Sequence, residues 1–252
     1  MGTTESSETC DPILGGRIRV IQPRKGYRFS VDSILLARFG AVRRTDRVLE
    51  LGAGTGVISL AIAALHQPRE IVAIEIQPEL VAMLHRSAEL NGTDTIHAIT
   101  ADLRKLIDAK LPRESFDLVV ANPPYHAHKA GRVSPHDARR IARSETSATL
   151  DEFVAAAGKY ARRGGKVAFV FAAERAAELI SLLREHRLEP KRIRFVHPYA
   201  TAPATIILIE ARKDGGIEVA IEPPLVLFDA PGVYSGEAVE ILGGVASPSA
   251  AR

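Results

Sequence analysis

From Asp46 onward, hydrophobic and polar positions alternate between two spacings. Short apolar runs at Arg47–Leu51, Glu70–Ile76, Thr95–Ile99 and Phe116–Ala121 are long enough for buried strands and too short for ordinary helices. Between them the apolar residues recur at helical spacing. Helices are predicted from Val57 to about His66, from Pro78 to Asn91-Gly92, and briefly from Leu103 to Ala109. Proline in a first turn and Asn-Gly at an end are the expected punctuation of the second. Farther on, the pattern predicts a helix over Leu150–Ala161, with Asp151 and Glu152 favourably placed in its first turn. A turn at Arg162–Gly165, a strand at Lys166–Phe171 and a helix at Glu174–His186 follow. Strands are expected at Arg192–Val196 and Thr205–Ala211, an edge strand interrupted by Pro223-Pro224 within Ile217–Phe228, and a short helix at Gly236–Leu242. This alternation argues for an α/β fold, a mostly parallel sheet with helices on both faces.

Before Asp46 the pattern is different. Residues 1–12 are small, polar and aperiodic, and read as a disordered tail. Residues 13–45 form an extension. Arg17, Arg19, Arg24, Lys25 and Arg28 surround short apolar pieces, which predicts a hairpin with a basic face. A helix over Phe29–Gly40 follows, with Ser30 or Asp32 at its start and Gly40 at its end. Residues 46–242 read as one domain and 243–252 as a frayed tail. The polar, basic stretch 126–149 is long for a plain connection, which favours a functional lid.

Composition narrows the class. The chain has 252 residues, 46% of them hydrophobic, enough for a sizeable core. No apolar run approaches a membrane span. The N-terminus carries no secretory pattern, and one cysteine, Cys10, allows no intrachain disulfide. Both fit a cytoplasmic protein. A formal net charge of +3 permits a nucleic-acid partner without demanding one.

The chemistry concentrates at strand ends. Asn122-Pro123-Pro124-Tyr125 follows the Phe116–Ala121 strand, at the edge where open α/β sheets bind ligands. Asn122 offers an uncharged side-chain carbonyl. Pro123 keeps its C=O, and the second proline stiffens the turn. Tyr125 adds a flat face, and the ring rather than its hydroxyl is expected to matter. Two acceptors and a stacking face suit a planar group bearing an NH2, such as the amine of adenine. The competing reading is a Pro-Pro turn that simply ends a strand.

Glu50-Leu51-Gly52-Ala53-Gly54-Thr55-Gly56 ends the first strand of the alternation. It is not the dinucleotide fingerprint, because Val57 stands where a small residue is needed. Glycines here let the backbone bend and approach a ligand. Glu50 is a poor neighbour for a pyrophosphate and suits a cationic group such as a sulfonium. Glu75, 25 residues on, ends the second strand and can accept the hydroxyls of a ribose. Asp102 follows the third strand and can accept from an adenine amine. Each carboxylate has a plainer alternative as a helix cap.

Val48–Ser59, Ala73–Pro78, Ala101–Leu103 and Asn122–Tyr125 together resemble the ordered motifs of class I S-adenosylmethionine-dependent methyltransferases. The Asn-Pro-Pro-Tyr form is that of enzymes methylating amino groups of adenine, guanine or glutamine. Tyr27–Phe39, with Asp32 followed by Ser33-Ile34-Leu35-Leu36, resembles a segment of the bacterial tRNA adenine-N6 methyltransferases, which modify the adenine 3′ of the anticodon of a valine tRNA. Arg143-Ser144-Glu145 and Val233-Tyr234-Ser235 extend that likeness. The resemblance implies a Rossmann-like, mostly parallel seven-stranded sheet and S-adenosyl-L-methionine as cofactor. It implies a cofactor site at Tyr27, Asp32, Glu50, Gly52, Ala53, Gly54, Gly56, Glu75, Ile76, Asp102, Leu103 and Asn122. It also implies catalysis at Asn122, Pro123, Pro124 and Tyr125, and tRNA as substrate.

Other chemistries fit less well. His126, His128 and His136 lack the second ligand pair of a zinc site, so no metal is expected. No nucleophile elbow accompanies Ser59 or Ser144. The stretches Arg17–Arg28, Arg139–Arg143 and Lys191–Arg194 can track phosphate, with Lys25, Arg28, Arg140 and Arg143 the candidate RNA contacts. The alternatives to tRNA methylation are a glutamine-N5 protein methyltransferase, another amino-group nucleic-acid methyltransferase, and a non-catalytic cofactor-binding module.

Overall fold

The computed structural model describes residues 7–25, 30–106, 110–125 and 148–244. The alternation produces the expected sheet. Strands β3 (Arg47–Leu51), β4 (Glu70–Glu75), β5 (Ile96–Thr100) and β6 (Phe116–Ala121) are all parallel. Helices α2 (Val57–His66) and α3 (Pro78–Leu90) connect the first three. After β6 come α4 (Leu150–Tyr160), β7 (Ala161–Ala172), α5 (Ala176–Glu185), β8 (Leu188–His197) and β9 (Ile206–Lys213). The order across the sheet is β8-β9-β7-β6-β3-β4-β5, with β9 antiparallel to both neighbours.

Two short strands, β10 (Ala220–Ile221) and β11 (Leu225–Val226), bring the sheet to nine. Both add in parallel to the free edge of β8 and cover it. Pro223-Pro224 separates them, because proline cannot donate to a ladder.

Strand alternation divides the core into two faces. Val48, Leu118, Val120, Ala168 and Val170 pack on one side with α1 (Val31–Phe39), α2 and the Leu84–Ala88 stripe of α3. Leu49, Val119, Ala121, Phe169 and Phe171 face the other, against Phe153 and Val154 of α4 and Leu179 of α5. Each such valine, leucine or phenylalanine side chain contributes about 2 kcal/mol on burial.

Several expectations change. The tail read over 1–12 is structured from Glu8, because β1 (Glu8–Ile13) pairs with β2 (Ile18–Pro23) in a hairpin. The hairpin is fastened to α3. Asn91 Oδ1 accepts from Arg19 N at 2.9 Å, its Nδ2 donates to Arg19 O at 2.7 Å, and Arg86 pairs with Glu8 through two 2.8 Å bonds. Likewise Gly243, assigned to a frayed tail, packs against Leu14 behind α6 (Gly236–Ile241). Finally, the turn expected at Arg162–Gly165 is a bulge inside β7. Phe116 and Leu118 of β6 face Ala161 and Lys166, so several residues of β7 oppose one of β6. Glycine is required there: a Cβ on Gly165 would lie 2.8 Å from Arg162 O.

Thr149 starts α4 with a capping box, its side chain accepting from Glu152 N at 3.2 Å and Glu152 Oε2 accepting from Thr149 N at 2.7 Å. Of the helix predicted over Leu103–Ala109, Leu103–Lys105 is a 3-10 turn, and residues 107–109 lie outside the described residues. The expected lid at 126–149 lies outside the described residues up to 147.

Candidate active site

The chain leaves β3 toward β4 and β5, then returns to the other side of β3 as β6. That reversal opens a crevice beyond the carboxyl ends of β3 and β6. Into it run Gly52 after β3, Ile76 after β4, Asp102 after β5 and Asn122 after β6. A cavity of about 310 Å³ sits there, lined by Gly52, Gly54, Glu75, Ile76, Asp102, Leu103 and Asn122–Tyr125. Its size is at the lower end for small-molecule sites. Asp32, from α1, lines it as well.

The glycine loop is held from both sides. Gly52, Gly54 and Gly56 all have positive φ, at 69°, 56° and 79°. Gly54 N donates to Glu75 Oε2 at 2.8 Å, and Ala53 N to Ile74 O at 2.8 Å. Gly56 is the N-cap of α2 and has no side chain to satisfy the helix's first donors. Glu50 does this from β3: Ser59 donates to its Oε2 through N at 3.0 Å and through Oγ.

Glu50, Ala53 and Gly56, expected beside the cofactor, do not line the cavity. Glu50 is 1% exposed, turned toward Ser59, and burial pushes its carboxyl up to about 8. Burial thus favours its uncharged form, which weakens it as a counter-charge for a cation. Ala53 is buried, and Gly56 leaves room for Leu84, whose side chain a Cβ would overlap.

Glu75 and Asp102 do face the cavity, and each also has a local role. Glu75 Oε1 accepts from Gln77 N at 3.0 Å, so this carboxylate orders the start of α3 as well as Gly54. Four acceptor directions leave it room for ligand hydroxyls. Asp102 caps the 3-10 turn by accepting from Arg104 N at 2.9 Å, and the Arg104 guanidinium pairs with both its oxygens. That pairing holds the carboxyl below the usual carboxylate range.

The other wall is left open. Among the described residues, neither the Asn122 side chain nor the Pro123 C=O makes a hydrogen bond. Tyr125 is half-buried, its ring edge-on to Phe171 at 5.4 Å, and its hydroxyl donates to Asp32 Oδ2 at 2.7 Å. Phe153, which meets Gly52, and Phe171 carry no motif; their apolar positions were legible only as core.

Of the basic candidates, Lys25 is exposed, and Tyr27, Arg28, Arg140 and Arg143 lie outside the described residues, as do the loop histidines. Lys191–Arg194 is not a free phosphate track. Lys191 Nζ donates to Gly216 O, Arg192 pairs with Glu222 at 2.7 Å and stacks on Phe39, and Arg194 pairs with Glu237 at 2.6 Å. Among the described residues, no helix is long and apolar enough to cross a membrane.

Comparison with known proteins agrees with this geometry. A curated protein of Tolumonas auensis named tRNA1(Val) (adenine(37)-N6)-methyltransferase is 27% identical over 235 residues, covering 89% of this chain and 92% of that protein. One of the same name from Parabacteroides distasonis is 29% identical, over 73% of this chain and 76% of its own length. Among solved structures, a predicted O-methyltransferase of Agrobacterium tumefaciens superposes with a TM-score of 0.70 at 24% identity, over 86% of this chain and 98% of that one. TYW2 of M. jannaschii in complex with AdoMet does so at 0.58 and 16%, over 84% of this chain and 88% of that one. The family model of the methyltransferase small domain matches residues 30–189, from the cavity-lining Ser30 through β3–β7 and α5, and with that match this chain belongs to the methyltransferase small domain family.

Proposed function

We propose that this chain transfers a methyl group from S-adenosylmethionine to the N6 amine of an adenine in tRNA, the adenine 3′ of the anticodon of a valine tRNA. The observation that carries the reading is the pair of acceptors Asn122 Oδ1 and Pro123 O, without a partner among the described residues, at the carboxyl end of β6 beside the cavity. The names of the Tolumonas and Parabacteroides relatives support the choice of nucleic acid and base.

The cavity residues fit the cofactor. Glu75 can take ribose hydroxyls, Asp102 can take an amine where it shares Arg104, and Ile76 and Leu103 offer apolar sides for a flat base. Glycine backbone at Gly52 and Gly54 leaves room for close approach. When bound, the cofactor supplies an electrophilic methyl carbon on a sulfonium.

An adenine amine is a weak nucleophile because its lone pair is delocalised into the ring. Asn122 Oδ1 and Pro123 O accept its two N–H bonds and so aim the nitrogen. Holding both bonds also favours the positive charge that develops on nitrogen during transfer. The Pro123-Pro124 turn keeps the two acceptors rigid, and Tyr125 holds the base plane. No strong base is needed, because the extra proton is acidic once the new N–C bond has formed and passes to water. Catalysis is then positioning and preorganised electrostatics.

The test is methyl transfer from labelled cofactor to unmodified total tRNA, followed by mapping of the modified nucleotide. Label at N6 of the adenine 3′ of a valine anticodon is expected. Label on a protein glutamine, with none on tRNA, would replace this reading with the glutamine-N5 alternative.

A further inference from the structure

The carboxylates lining the cavity differ in what they already hold. Glu75 is engaged by Gly54 and Gln77, and Asp102 by Arg104. Asp32 is engaged by one group of the described residues, the hydroxyl of Tyr125, which comes from 93 residues away. Asp32 is 8% exposed and sits in the first turn of α1, where the helix's partial positive charge favours an anion. At 2.7 Å the bond has the usual length of an O–H···O hydrogen bond.

Two further contacts hold the same tyrosine. Phe171 meets its ring edge-on, at an interplanar angle of 85°. The Arg175 guanidinium lies 4.7 Å from the centre of the Phe171 ring, and its Nη1 donates a long 3.4 Å bond to Tyr125 O. Arg175 is itself fixed by Glu178 through two 2.7 Å bonds. The Phe171 contact meets the ring along its side, and the hydrogen bond to Asp32 holds its far tip, so the two together oppose rotation about the Cα–Cβ bond.

We propose that Asp32 is a positioning residue for methyl transfer: it anchors the Tyr125 hydroxyl and so fixes the plane against which the target base is held, and Arg175 buttresses that plane from behind. The proposal rests on the reading that a base is held against Tyr125. It departs from the expectation that only the ring face matters. A phenylalanine at 125 keeps the face and loses the anchor. It also explains why α1, which precedes the cofactor loop in the chain, takes part in the site: the helix carries the anchor across the crevice.

The test is a double-mutant cycle on single-turnover methylation of purified tRNA, with cofactor affinity measured in parallel by calorimetry. Tyr125→Phe and Asp32→Ala are each expected to lower the rate about tenfold, the loss of one positioning hydrogen bond. The double variant is expected to lose no more than either alone. Asp32→Asn keeps an acceptor and should recover most of the loss seen with Asp32→Ala. Stability is followed by denaturant unfolding of the same four proteins. Tyr125→Phe at the wild-type rate, or rate losses that multiply in the double variant, would overturn the anchor. Coupling seen in stability but not in rate would reduce the bond to a structural one and also overturn it. A wild-type protein that methylates no adenine in tRNA would instead show that the functional reading itself has failed.

Discussion

The two walls of the cavity are built in different ways. On the β3–β5 wall the three carboxylates are each engaged by groups from that same stretch of chain. Glu50 holds Ser59, nine residues on; Glu75 holds Gly54 and Gln77; Asp102 holds Arg104, two residues on. On the β6 wall, Asn122 and Pro123 present acceptors with no partner among the described residues, and Tyr125 is fixed by groups 93 and 50 residues away. The first wall is stiff before any ligand arrives. The second keeps its hydrogen-bonding capacity in reserve for a group that brings two N–H bonds.

The sharpest way to break this contrast is through Glu50. Its carboxyl is raised to about 8 by burial, against 4.5 in its ordinary state. The folded chain therefore keeps a proton that the unfolded chain releases. The contribution is full below about pH 4.5, is lost progressively as pH rises, and levels off above about 8. Denaturant unfolding across that range should show the wild type losing on the order of a few kcal/mol relative to Glu50→Gln, which cannot titrate. Parallel profiles for the two proteins would mean that Glu50 is not the buried acid described.

Asn122→Ala tests the open wall. Removing one preorganised hydrogen-bonding group should lower turnover on the order of 10²-fold, while cofactor affinity changes little. A wild-type rate would show that the acceptor is idle. Next in size is Gly56→Ala. The added methyl overlaps Leu84 at a φ of 79°, so a loss of roughly 1–3 kcal/mol in stability is expected from overpacking. Cofactor at a hundred times its dissociation constant should restore about 2.7 kcal/mol by mass action if the loop still closes around it. Thermal shifts with and without cofactor read both.

The smallest effect concerns the surface. Lys25→Ala should weaken tRNA binding uniformly and lower the slope of log affinity against log salt by about one unit if it meets a phosphate. Arg194→Ala breaks an internal pair with Glu237 and should leave that slope unchanged. Equal slopes for both variants would remove the distinction between free and committed cations.

The sequence alone determined the order of elements and the strand-end motifs. Arg47–Leu51, Val57–His66 and Phe116–Ala121 occur with the bounds their periodicity predicts, because local patterning decides where a buried strand or an amphipathic helix begins and ends. Gly52, Gly54, Glu75, Asp102 and Asn122 were legible because each follows or ends a strand that reaches one sheet edge. What tertiary structure decided is which way side chains turn and what they meet. Glu50 turns to Ser59 rather than the cavity, because α2 lacks a capping side chain at Gly56 and its buried donors need an acceptor. Lys191–Arg194 looks like a phosphate track as a string of charges, yet the backbone of β8 delivers its cations to Glu222, Glu237 and the Gly216 carbonyl. Asp32 and Tyr125 carry no signal of each other in the sequence. Their hydrogen bond exists because α1 packs over β7 and β9 and brings its first turn to the end of β6, a contact that only the folded chain can make.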